Sequence, residues 1–470
     1  MMALRRVRAL RMKTQIQAAL LLLSLSIPGA PAVAQNTAAT GHQACSIHAT
    51  TFEGWQAEEM ANAWVQLIFV PQLGGRLMQV TFNGHPYLFD NPVYAGKYIP
   101  PDAAKGRWIN YGGDKIWPLP EGNDDEQHWT GASTPLDDGA YAFSVVAQGE
   151  RCTVRLDGPP DRATGLQYSR EISIGTDSPE IDFHAITKNY TGHSVDWSVQ
   201  SVSQYNLADP AQPDGYNHQF WAYTSVNPSS AYLLGYHVRD GLANDPSYSV
   251  RDGLFRVHWK YIESEVWIDS TAGWLALVDG ASQYAMVEKT HHDNHAEYPS
   301  KASVIFYKNG PSAELDEHGM PHFTPPDTKE TPYYMEAEVN SPMVELDPGQ
   351  SYSMDTHWFP FRMGLELRSV GDAGVVGDPL QAVRQGDQIQ LTGRFGVFFP
   401  GHLEARLYSK GGAERKAVDL EAVSPRDLIE LKSSVSGAGI VRVSVHLIDK
   451  QNVDRGSLGE VFVNGENGAE

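Results

Sequence analysis

Along most of this chain apolar residues alternate with polar ones, and few segments repeat an apolar residue every three or four positions. That period of two predicts strands, not amphipathic helices. Residues 64–70 and 76–82 form the first strand pair, joined by the turn Pro71-Gln72-Leu73-Gly74-Gly75, and Asn83-Gly84 ends the second with a hairpin signal. Further strands are predicted over 142–147, 168–174, 181–188, 196–205, 254–262, 274–279, 303–308, 333–338 and 351–359. One short helix is expected at 53–60. Many strands punctuated by Gly, Pro and Asn predict an all-β fold, a large antiparallel sandwich.

The pattern changes soon after Phe361. No tryptophan follows Trp358, residues 371–379 read as a linker or edge turn, and shorter strands are predicted at 388–392, 402–408, 428–432 and 440–448. These suit a small immunoglobulin-like β-sandwich. The expected organisation is therefore a main domain over 35–365 and a small C-terminal sandwich over 366–470.

The first 34 residues stand apart. Arg5, Arg6, Arg8, Arg11 and Lys13 precede an apolar run around Leu20 to Leu25, and Ala32-Val33-Ala34 offers the small residues a signal peptidase reads. This predicts a cleaved signal and a periplasmic or secreted product with no later membrane span. The formal charge of -21 argues against nonspecific contact with nucleic acid or an anionic membrane. The chain has two cysteines, too few for a disulfide scaffold. In an oxidising compartment Cys45 and Cys152 either pair or remain two separate thiols.

Three polar clusters carry candidate chemistry. The first is Asn110-Tyr111-Gly112-Gly113-Asp114-Lys115-Ile116-Trp117-Pro118, followed by an acidic and aromatic stretch that includes His128 and Trp129. Its glycines and proline predict a loop, and its mixture of Trp, Asn, Asp and Lys suits a sugar ring: aromatic faces stack and polar groups bond hydroxyls. A purely structural turn is the other reading. The second cluster, 291–298, holds His291, His292 and His295. Its spacing matches no strong zinc signature, so no catalytic metal and no cofactor is expected, though an acidic loop leaves room for a structural calcium. The third is the strand carrying Tyr334, Glu336 and Glu338 on one face. Two carboxylates there either stripe a solvated surface or line a polar cleft, where one of them would be pushed up toward neutrality.

Leu73-Gly74-Gly75-Arg76, the Asn110 motif, and Tyr334 to Pro342 followed by Leu346-Asp347-Pro348-Gly349-Gln350-Ser351-Tyr352 together resemble the galactose-mutarotase-like supersandwich superfamily. Within it the chain is most similar to the uncharacterised bacterial DUF4380 family. The resemblance implies a supersandwich over roughly 53–361. It implies that Glu336 occupies the position of an aldose epimerase's base, and that Arg76 and Glu338 are sugar contacts. It departs where those epimerases carry an acid histidine: the stretch after Asn189-Tyr190-Thr191-Gly192 offers Gln200, Ser203, Gln204 and Tyr205 instead. Tyr205, His128, His291 or Lys115 is then the candidate acid.

The function expected is that of an exported carbohydrate-active enzyme, with hydrolase, lyase and epimerase unresolved. A glycosidase would pair Glu336 with Asp114 or Glu338. A lyase would use Tyr205 or a histidine, with Arg76 and Lys115 as cations. A noncatalytic glycan-binding protein and an envelope assembly protein are the alternatives. Arg76, Asn110, Asp114, Lys115, Trp117 and Glu336 are expected to line one cleft.

Overall fold

The computed structural model describes residues 44–122, 129, 131, 134–260, 262–310, 312–315, 321–324, 333–364 and 366–465. The signal segment and His128 lie outside the described residues. From His42 onward the contacts form one compact unit.

Two large antiparallel sheets, of 12 and 10 strands, build the main body. Their facing sides share one core, to which Leu67, Phe69, Val154, Ile172, Phe183, Leu275, Met335, Ala337 and Trp358 contribute. Alternation explains the split. Met335, Ala337 and Val339 point into that core, so Glu336 and Glu338 must point out of the other side of the sheet. The C-terminal strands form two four-stranded sheets, and their core continues onto the outer side of the 10-stranded sheet through Trp274, Val287, Phe359 and Phe361. This is an all-β, antiparallel supersandwich followed by a small β-sandwich. Cys45 and Cys152 are joined by a disulfide across 107 residues, and no helix among the described residues is long and apolar enough to cross a membrane.

Two local expectations need correction. Residues 53–60 are not a helix: Trp55–Ala61 is a strand paired on both sides, with Ser46–Phe52 and with Val65–Val70. Glu53 and Gly54 both have positive φ (45° and 92°) and make a two-residue hairpin that sets Phe52 opposite Trp55. Tertiary pairing overrides the helix propensity of Gln, Ala, Glu and Met. Nor is the Asn110 motif a loop throughout, because Asp114–Leu119 is a fully buried strand beside Val195–Asn206. Its ladder with Arg76–Phe82 on the other side is limited to the pair Leu77 and Asp114. Past that point one side of the ladder is open, which accommodates Pro118.

Candidate functional site

A turn, not a binding loop, launches the Asp114 strand. Asn110 is buried, and its side-chain oxygen accepts from the Gly112 amide at 3.1 Å. Gly112 (φ 93°) and Gly113 (φ 76°) pass so close to the neighbouring backbone that a Cβ would come within 2.2 Å of Phe89 O and 2.7 Å of Leu77 O. Only glycine fits there.

From this turn the strand sends alternate side chains to opposite faces. Asp114 faces the inter-sheet interior, where it pairs with Arg170 of the second sheet and accepts from Ser203. Tyr205 points the same way and donates to Glu288 Oε1 at 2.6 Å. Lys115 and Trp117 face outward, in register with Val202 and Gln200. In the neighbouring strands Gln204 is opposite Glu336, Glu336 opposite Tyr307, and Tyr307 opposite Glu265. A second row runs Lys115, Val202, Glu338, Ile305, Trp267.

Of these two rows, Glu336, Tyr307, Glu265, Glu338, Ile305 and Trp267 floor a cleft of about 270 Å³. Trp108, Trp117, Trp267 and Tyr307 supply aromatic wall; Glu121, Glu265, Glu336, Glu338 and Arg239 supply charge; Gln200 supplies an amide. Arg239 sits at an irregularity between Val238 and Asp240, where the register slips, and bulges of this kind re-aim side chains. Its guanidinium donates to both oxygens of Glu265 (3.0 and 3.1 Å) and lies 3.7 Å from Glu121. The Trp267 indole also donates to Glu265, at 2.5 Å.

Buried behind the cleft lining, the Lys115 ammonium lies 3.9 Å from Glu336 Oε1 and 3.5 Å from the centre of the Trp117 ring. Gln204 donates to Glu336 and Gln200 to Glu338. Burial lowers the Lys115 pKa. Burial raises Glu336, against the pull of Lys115. Glu338 is raised well above the usual carboxylate range, by burial and then by Glu336, Glu265 and Glu121. Glu121 is pushed up to about 7 by burial, with Glu265 and Glu336 adding to the effect.

The structure thus brings Lys115, Trp117, Glu336 and Glu338 together. Arg76 has no exposed surface: it lies behind the cleft, paired with Asp137 (2.9 Å) and Asp138 (3.2 Å) of the helical turn Pro135–Asp138. Asp114 and Tyr205 face away, each engaged with a partner from the second sheet. His291 is exposed in the loop after Tyr284–Thr290 and does not line the cleft. Sequence reasoning missed Glu121, Arg239, Glu265, Trp267 and Tyr307. The alternation Ser264-Glu265-Val266-Trp267-Ile268 was the available signal.

Glu288, among the inter-sheet groups, is pushed up to about 8 by burial. Its carboxyl stays neutral in the folded protein across a range where the unfolded chain, near the ordinary value of 4.5, has already lost the proton. Stability is therefore full below about pH 4.5 and falls as pH rises toward 8. Glu288→Gln can still accept the Tyr205 hydroxyl and removes this loss. Thermal melts should match the parent at pH 5 and exceed it at pH 8.5, by on the order of 2–4 kcal/mol. An equal difference at both pH values would rule out Glu288 as the source.

Known structures share the architecture loosely. A galactose mutarotase-like protein from Clostridium acetobutylicum is 11% identical with a TM-score of 0.44, over 68% of this chain and 99% of that one. One from Lactobacillus casei is 10% identical with a TM-score of 0.41, over 65% and 99%. A TPR-domain containing protein from Parabacteroides distasonis is 14% identical with a TM-score of 0.43; the match covers 67% of this chain but spans only 49% of that protein's length. At such identity and overlap these likenesses assign no activity to this chain. No known family profile matches the chain, nor does any curated protein, so the DUF4380 resemblance rests on the sequence motif alone.

Proposed function

We propose that the protein is an exported carbohydrate-active enzyme that carries out acid–base chemistry at a sugar's anomeric centre in this cleft. The observation that carries the reading is a cleft walled by Trp108, Trp117, Trp267 and Tyr307 that is lined by both Glu121, its carboxyl pushed up to about 7, and Glu336, 3.9 Å from Lys115. A group titrating near neutrality exchanges protons efficiently at working pH. Glu121 would act as the acid and Glu336 as the base. In ring opening, Glu336 would take the C1 hydroxyl proton while Glu121 protonates the ring oxygen. In hydrolysis, Glu121 would protonate the leaving oxygen and Glu336 would activate water. The lyase reading is less favoured, because Arg76 is already neutralised by two aspartates and, among the described residues, Arg239 is the cation that lines the cleft, itself paired with Glu265 and Glu121. The signal-like start and the Cys45–Cys152 disulfide support export.

A panel of mono-, oligo- and polysaccharides, read by calorimetry for binding and by NMR for anomer exchange or cleavage, tests this. Turnover of a panel member is the expected result. Binding without turnover would make the protein a glycan-binding module. Neither binding nor turnover would leave the envelope-assembly alternative.

A further inference from the structure

The cleft holds more carboxyl groups than cations. Among the described residues four glutamates (Glu121, Glu265, Glu336 and Glu338) line it against Arg239, with Lys115 buried behind Glu336. Arg239 is committed to Glu265 and Glu121, and Lys115 is shared between Glu336, 3.9 Å away, and the field of Asp137. Among the described residues no cation lies within ion-pair distance of Glu338; the Gln200 amide donates to it. It sits in the row between Lys115 and Trp267, with the other three carboxylates acting on it. Carboxylates buried without matching cations are costly, and a ligand can bring the missing charge.

A single metal ion does not suit the arrangement. A hard cation gathers several oxygens within one coordination sphere. Among the described residues only Glu180, Asp182 and His357, on the other sheet, bring three ligand atoms that close together. The cleft carboxylates are instead spread along the walls. Glu336 and Glu265 are two strands apart, a backbone separation of about 10 Å. Such spacing fits an extended organic cation. The remaining open valences suit hydroxyl groups. Among the described residues, Trp108 Nε1 and the side-chain oxygen of Gln200, both lining the cleft, lack hydrogen-bond partners, and Gln200 is 2% exposed.

We infer that the cleft selects a sugar bearing a free, protonated amino group, and that Glu338 receives it. This rests on the carbohydrate reading above and narrows it. A uronate would set its carboxylate against the same glutamates, and an N-acetylated sugar would bring no charge. Because the amine favours ionised carboxylates, its binding should release protons from the cleft.

Calorimetry with chito-oligosaccharides in their free-amine and N-acetylated forms, cello-oligosaccharides and oligogalacturonate tests the inference. The measurement is made at about pH 5.5, where the sugar amine is already protonated and contributes no proton uptake, in two buffers of different ionisation enthalpy. The free-amine oligomer should bind about 10–100-fold more tightly than the others, the gain of one charge-assisted hydrogen bond, and should release protons. Glu338→Gln should bring the ratio of free-amine to neutral affinity toward one. Glu265→Gln, a second variant should the first not fold, should reduce the same ratio. Equal or tighter binding of the neutral or acidic oligomers would overturn the amine preference and leave the carbohydrate reading standing. Failure of every oligomer and of the wider sugar panel to bind would overturn both.

Discussion

Glu336→Gln is expected to lower turnover by about 10²–10⁴-fold while the fold and most of the substrate affinity survive. The amide keeps the shape of the carboxylate, and its oxygen still accepts from Gln204, so the cleft floor is preserved. What disappears is the charge beside Lys115 and the site that takes the proton. Lys115 tolerates the change because burial already lowers its pKa, so it can release its proton once its partner is gone. Single-turnover rates and calorimetric affinities on an active panel member separate the two effects. Rate and affinity falling together would make Glu336 a binding group, and an unchanged rate would remove it from the chemistry. The pH profile gives a second check. If Glu121 must be protonated to act, activity falls as pH rises through about 7, and Glu121→Gln removes that limb along with most of the rate.

Runs of β-branched and apolar residues bounded by turn residues made several strands legible, whether buried on both faces or largely exposed. Arg76–Phe82, Ala142–Ala147 and Trp274–Asp279 match their predicted spans to the residue. The face of the Tyr334 strand could also be read, because period two places Glu336 and Glu338 together whatever lies opposite. What one strand cannot reveal is its neighbours. Glu265 and Tyr307 reach the site through strand order, and Arg239 through an irregular strand end. The Asn110 motif misled for a related reason. Its residues look like a binding loop because sugar sites and buried polar turns use the same Gly, Asn, Asp and Lys. Only the register shows that Asp114 and Lys115, adjacent in sequence, serve opposite faces of the sheet.

Arg76 shows how far a side chain can act on a ligand it does not touch. It holds Asp137, whose Oδ1 also accepts the Trp117 indole N–H at 2.7 Å, so the ion pair fixes one wall of the cleft. Arg76→Met should cost about 3–5 kcal/mol, because two carboxylates with no exposed surface lose their cation. It should also weaken sugar binding by loosening Trp117. The same loss would be expected if Arg76 contacted the sugar directly, so this variant alone does not distinguish the two roles. Combining it with Asp137→Asn and Asp138→Asn does. The amides no longer need a cation, and Asn at 137 still offers an oxygen to Trp117, so a positioning role predicts that stability and sugar affinity recover together. A triple variant that melts near the parent temperature yet still fails to bind sugar would show that the guanidinium itself reaches the ligand, and that it does so from a position the burial of Arg76 does not allow in the unliganded protein.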